Sequence, residues 1–243
     1  MNKISGKKSV GQNISAKNSN WSFAGQTATN FTSHVKNSVP LYEQGHDLIL
    51  RLSDFFLPNN STCYDLGVSN GNLILNLAKR HSEKKVEFIG IDIEKDMIHE
   101  AKRRLGERYN NVTLKCQNLE VCKLKKSDMI ISYYTMQFIH PRHRQDVINK
   151  IYSSLNWGGC LLLFEKVRGS DARFQDIWTA VYNDFKLEQG FSSEEIMNKS
   201  RSLKGILEPF SMQGNVDLLS RAGFKDIATV MMYVPFAGIL AIK

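Results

Sequence analysis

A chain of 243 residues with 42% apolar and 23% charged residues has globular proportions and the length of one domain with room for an elaboration. No apolar run is long enough to span a membrane, and the lysine-bearing N-terminus lacks the apolar core of a secretory signal, which points to a cytoplasmic location. Half of the net charge of +8 comes from Lys3, Lys7, Lys8 and Lys17, so the excess alone does not make nucleic acid the direct substrate.

Residues 1–20 are rich in Ser, Asn and Gly and are expected to form a disordered basic leader, with a single domain over residues 21–243. A helical period runs from Tyr42 to Phe56 and stops at Pro58-Asn59-Asn60. Alternation follows: strand 62–66, helix 71–81, strand 86–91, helix 96–108, strands 112–116 and 128–133, helix 142–156 and strand 160–165. Asp96 reads as an N-cap, and Gly158-Gly159 as the stop of the helix before the fifth strand. Two helices, near 171–188 and 193–206, interrupt the alternation as an insertion over about 168–212. A helix at 214–222 and two closing strands joined around Tyr233-Val234-Pro235 complete the chain. The pattern predicts an α/β fold: a doubly wound, mostly parallel seven-stranded sheet, Rossmann-like, ending in an antiparallel hairpin.

The chemistry is concentrated at Tyr64-Asp65-Leu66-Gly67-Val68-Ser69-Asn70-Gly71, where a strand turns through two glycines into a helix. The next strand ends in Asp92, placed to accept both hydroxyls of a ribose. The glycine spacing differs from the dinucleotide fingerprint, so a pyrophosphate is not the natural guest. Four scattered cysteines, Cys63, Cys116, Cys122 and Cys160, form no metal-ligand pattern, and no metal is expected.

The loop and Asp92 resemble the first motifs of class I S-adenosylmethionine-dependent methyltransferases. Beyond them, Trp21-Ser22-Phe23, Ser38-Val39-Pro40-Leu41-Tyr42, Met136-Gln137-Phe138-Ile139, Glu165-Lys166, Asp184-Phe185-Lys186 and Ala222-Gly223-Phe224 make residues 20–243 similar to the carboxy-S-adenosylmethionine synthase family. That family makes a carboxymethyl donor for a wobble-uridine modification of tRNA. The resemblance implies S-adenosylmethionine as cofactor, contacted by Tyr42, Gly67, Val68, Ser69, Asp92, Ile93 and Leu119. Two further contact positions differ from the family: Asn118 replaces an acidic residue and Tyr133 replaces an asparagine. A third departure is Ser200, which aligns with the family's carboxylate-binding arginine and leaves Arg201 about 100° further round the helix. A neutral hydroxyl does not replace a bidentate guanidinium contact. The expected reaction is therefore methyl transfer to a small-molecule acceptor. Carboxy-S-adenosylmethionine synthesis and a non-catalytic binder of S-adenosyl ligands are the alternatives. Lys199, Ser200 and Arg201 are candidate substrate contacts, and His140 is a candidate general base. Tyr134 is expected on the sheet face opposite Tyr133. A homodimer through the inserted helices is also expected.

Overall fold

The computed structural model describes residues 6–106 and 108–243. Its seven-stranded sheet has the order β5-β4-β3-β6-β7-β9-β8, built from β3 (Ser61–Leu66), β4 (Val86–Asp92), β5 (Val112–Cys116), β6 (Ser127–Tyr133), β7 (Leu155–Lys166), β8 (Asp226–Tyr233) and β9 (Phe236–Ile242). The first five pair in parallel, while β9 runs antiparallel to both β7 and β8. Helices α3 (Asn72–Arg80), α4 (Lys95–Leu105), α5 (Pro141–Ser154) and α8 (Met212–Ala222) fill the crossovers, and α6 (Ala172–Glu188) and α7 (Ser193–Ser202) form the insertion. The apolar residues of β6 alternate between two cores: Met129 and Ile131 join the layer under α2 (Tyr42–Phe56) and α3, and Ile130 joins the layer under α5. The order reverses between β3 and β6, so their carboxyl ends open a crevice at the point where such sheets bind ligands.

Several local expectations are corrected. Helix α4 starts at Lys95 with Glu94 as N-cap; Asp96 is its second residue, in the first turn, and its carboxylate accepts the Gly25 N–H at 2.7 Å. Helix α5 stops at Ser154, and Leu155 already pairs with Ser127, so Gly158-Gly159 fall inside a long bulged strand and do not stop the helix. Helix α1 (Gln26–Ser38) had no clear period in the sequence, and α7 is four residues shorter than predicted.

The largest correction concerns the N-terminus. Residues 1–5 lie outside the described residues, but β1 (Lys8–Ser9) and β2 (Ser15–Ala16) form an antiparallel hairpin packed on the insertion. Val10, Ile14 and Ala16 are buried with Trp21. A polar average hid these few apolar side chains, which together cover one small patch.

Candidate functional site

A cavity of about 890 Å³ opens over the carboxyl ends of β3, β4 and β6 and extends under α6, α7 and the N-terminal segment. Its two halves differ in chemistry.

The first half is made by the turn after β3. The Gly67 and Val68 N–H groups donate to the Ile91 carbonyl at 2.7 and 3.0 Å, drawing the turn against the end of β4. Gly67 adopts φ +80°, and a Cβ there would strike the Thr135 side chain at 2.1 Å, so both conformation and space require glycine. Ser69 is held at φ +52°, and its N–H donates to Asp92 Oδ2 at 2.8 Å; the Glu94 N–H donates to Oδ1 at 2.9 Å. Asp92 is thus fixed by two backbone donors while each oxygen keeps a free lone pair for a ribose hydroxyl. Burial raises its pKa above the usual carboxylate value, and the backbone hydrogen bonds oppose the rise.

Around Asp92 the wall suits a flat nucleoside. Ile93 is 61% exposed although it is a large apolar residue at the cavity edge. Leu119 is buried and lines the same cavity. The Asn118 amide oxygen accepts the Glu120 N–H at 2.8 Å, an Asx turn that fixes the side chain and leaves its second lone pair for a base amino group. Deeper in, Asp65 is buried and its Oδ2 has no partner. Burial first, then the Asp92 charge, pushes its carboxyl up to about 7. An unpartnered carboxylate on a cavity wall favours a ligand ammonium or sulfonium.

Tyr42, His46, Tyr133 and Tyr134 close the floor. The Tyr133 hydroxyl donates to the Tyr42 carbonyl at 2.6 Å, and its ring lies 5.2 Å from Tyr42, 4.8 Å from His46 and 4.7 Å from Tyr134. Tyr134 therefore does not cross to the opposite face. It follows the last residue of β6 and takes φ +58°, which turns its side chain back into the same layer as Tyr133. Together these groups fit S-adenosylmethionine: Asp92, Ile93, Leu119 and Asn118 would hold the nucleoside, and Asp65 with the aromatic floor its charged end.

The second half is cationic. Lys166, Lys186, Lys199, Ser200 and Arg201 all line it. Lys166 and Lys186 place Nζ 4.4 and 4.3 Å from the Tyr182 ring centre. Lys199 Nζ meets His34 Nε2 and donates to Ser38 Oγ at 2.7 Å. None of the three lysines has an acidic partner among the described residues. Lys166 and Lys186 were not read from the sequence as substrate contacts; their position at the carboxyl end of β7 and on α6 was the available signal.

His140 is corrected. It is the exposed N-cap of α5, its Nδ1 accepts the Arg142 N–H at 3.3 Å, and it does not line the cavity. Proline at N1 makes this a helix start, and capping explains the residue without catalysis. Cys63, Cys122 and Cys160 are buried and Cys116 is exposed, all four as free thiols.

Comparison with known proteins agrees with this geometry. Residues 64–159 match the family described as a methyltransferase domain. A carboxy-S-adenosyl-L-methionine synthase of Staphylococcus epidermidis is 36% identical over 227 residues, covering 92% of this chain and 97% of that protein. One of Campylobacter lari is 35% identical, covering 91% and 94%. Among solved structures, a putative O-methyltransferase from Nostoc punctiforme superposes with a TM-score of 0.64 at 16% identity, covering 90% of this chain and 59% of that one. The last of these shows the shared fold alone. The chain belongs to the carboxy-S-adenosyl-L-methionine synthase family, within the class I methyltransferase fold, and is an enzyme that uses S-adenosylmethionine.

Proposed function

We propose that this enzyme transfers a carboxylate onto S-adenosylmethionine from a small anionic co-substrate. The co-substrate's bond to its carboxylate carbon breaks, a C–C bond forms between that carbon and the sulfonium methyl carbon, and the methyl proton leaves as water with a hydroxide expelled from the co-substrate. The observation that carries the reading is the set of three lysines, Lys166, Lys186 and Lys199, facing the cavity with no acidic partner among the described residues. Burial, then the neighbouring Lys186, Arg168 and Lys204, lowers Lys166 to about 7; burial lowers Lys186 to about 8. Crowded cations of this kind are at a cost until an anion arrives between them. An incoming carboxylate and the new carboxylate of the product both answer that need. The objection raised by Ser200 is weakened because Arg201 lines the same cavity and the lysines supply further positive charge.

When bound, S-adenosylmethionine supplies a methyl group polarised by its sulfonium. The chain supplies the rest. Asp92 and the Gly67 turn fix the nucleoside, Asp65 faces the charged end, the lysines orient the anion, and Trp21, Tyr133 and Trp178 help to exclude water. Incubation with S-adenosylmethionine and prephenate, followed by mass analysis of the nucleoside, tests the reading: a carboxylated donor supports it and an unchanged donor overturns it.

A second reading, methyl transfer to a small acidic acceptor, is favoured by Ser200 and by Tyr133, which fills space beside Gly45. The lysines would then bind the acceptor's acid, and the product would be that acid with one added methyl group. A homodimer through α6 is part of the same proposal: Phe174, Ile177 and Val181 share one helix face and are 47%, 53% and 39% exposed. No helix among the described residues is long and apolar enough to cross a membrane.

A further inference from the structure

The N-terminal hairpin grips the part of α7 that carries the cavity's cations. Ser9 Oγ donates to Glu195 at 2.7 Å, and Asn198 Nδ2 donates to the Ser9 carbonyl at 3.2 Å. The Ser19 and Trp21 N–H groups donate to the Arg201 and Ser202 carbonyls at 3.0 and 3.2 Å. All four bonds fall within Glu195–Ser202, the segment that presents Lys199 and Arg201. Beneath them Val10, Ile14, Ala16 and Trp21 bury an apolar patch against Leu203 and Ile206.

The grip reaches Lys199 through aromatic rings. Gly11, at φ +90°, lies so close to Phe191 that a Cβ would sit 2.3 Å from the ring. Phe191 meets the His34 ring edge-on at 6.0 Å, while Trp21 stacks on it at 5.4 Å. His34, clamped between them, faces the Lys199 amine, which also lies 5.2 Å from the Trp21 ring and 5.9 Å from Phe191. The amine is therefore set by a wall that the hairpin completes, with its remaining access toward the cavity.

We propose that the N-terminal hairpin is a clamp that positions Lys199, and that Lys199 so held is a specificity-determining residue for the anionic co-substrate. This rests on the reading that an anion occupies the cationic half of the cavity. A long, flexible lysine normally loses rotamer freedom when it binds an anion; a clamp applies that restriction before binding and strengthens the contact. The aromatic wall also keeps water from the amine, so its charge is less screened once a carboxylate arrives. Burial first, then the charges of Lys186 and Lys166, hold the pKa of the amine well below its ordinary value.

The test uses the full-length protein with V10S/I14S, the milder Gly11→Ala, Lys199→Gln, and V10S/I14S combined with K199Q. S-adenosylhomocysteine affinity by calorimetry is expected to stay within about twofold in all four, since Asp92 and the Gly67 turn are untouched. The co-substrate KM is expected to rise about tenfold or more in V10S/I14S and in K199Q, and the combined variant is expected to be no worse than K199Q. Additive losses, or loss of S-adenosylhomocysteine binding in step with KM, would mean a purely structural hairpin and overturn the proposal. Should V10S/I14S fail to fold, Gly11→Ala carries the same comparison. A readout independent of turnover is the titration of ¹³C-labelled lysine followed by NMR, with K199Q assigning the signal. The Lys199 resonance is expected to titrate far below 10.5 in the wild type and to return toward 10.5 when the hairpin is loosened. A resonance that does not move overturns the clamp whatever the reaction. A moved resonance in a protein that makes no carboxylated donor instead overturns the functional reading and its co-substrate role for Lys199, leaving only the clamp.

Discussion

The hydroxyl oxygen of Tyr133 lies 2.2 Å from where a Cβ on Gly45 would be. Gly45 is in the middle of the first turns of α2, a helical position where glycine ordinarily weakens the helix relative to alanine. Here the missing methyl makes room for a phenol that reaches across to the Tyr42 carbonyl. The two residues are matched: the larger side chain at the end of β6 is admitted by the smallest one on α2, and the pair sets the floor of the cavity.

Gly45→Ala is therefore expected to destabilise the protein by about 1–3 kcal/mol despite alanine's better helix propensity, because the overpacked ring must leave its place. Thermal unfolding checks this. Combining it with Tyr133→Phe, which removes the clashing oxygen, is expected to recover part of the loss, whereas a fully additive pair would show that the residues do not share this space.

Asp92→Ala removes the carboxylate that the Ser69 and Glu94 amides hold in place. Two ribose hydroxyls and two backbone donors then lose their acceptor. The expected cost is about 1–3 kcal/mol in S-adenosylhomocysteine affinity by calorimetry. Asp92→Asn is expected to fall between, since its amide keeps one acceptor. Unchanged affinity in Asp92→Ala would remove the residue from the cofactor site.

How much of this was legible depended on how local each signal was. The Asp65–Gly71 turn and Asp92 could be found because glycine spacing and a strand-end carboxylate are short-range constraints. The mostly parallel, doubly wound sheet followed from alternation, since each crossover obeys one handedness. Tyr134 misled because strand parity holds only while the strand lasts, and its positive φ begins one residue after β6 ends. The hairpin misled because Val10 and Ile14 are isolated in a polar stretch and find their partners near residue 200. The cation cluster was hidden for the same reason: Lys166, Lys186 and Lys199 stand on three different elements, and only the tertiary fold brings them to one wall.

The proposed homodimer has a simple check. Phe174→Glu with Val181→Glu places two charges on the exposed apolar face of α6 without entering a core. Sedimentation is expected to show a dimer for the wild type and a monomer for the variant, with unfolding temperatures compared at equal protein concentration because dissociation itself lowers stability. A wild type that sediments as a monomer at micromolar concentration removes the dimer.

The cationic half predicts a pH dependence with a definite sign. A lysine attracts an anion only while protonated, and Lys166 and Lys186 hold their protons below about 7 and about 8. Co-substrate binding is therefore strongest below pH 7 and weakens as the pH climbs through this window, far earlier than ordinary lysines at about 10.4 would allow. A bound anion stabilises the charged form and shifts both groups upward, so the limb in kcat, which reports the complex, should lie at higher pH than the free-enzyme limb seen in kcat/KM. Lys186→Arg keeps the charge at all accessible pH and is expected to flatten the limb, while Lys186→Met is expected to raise KM below about pH 8, where the wild-type lysine is charged, and to change it little above, with little effect on S-adenosylhomocysteine binding. A co-substrate KM that stays level from pH 6 to 9, and is indifferent to Lys186→Met, would place the anion elsewhere and remove the electrostatic support for carboxylate transfer.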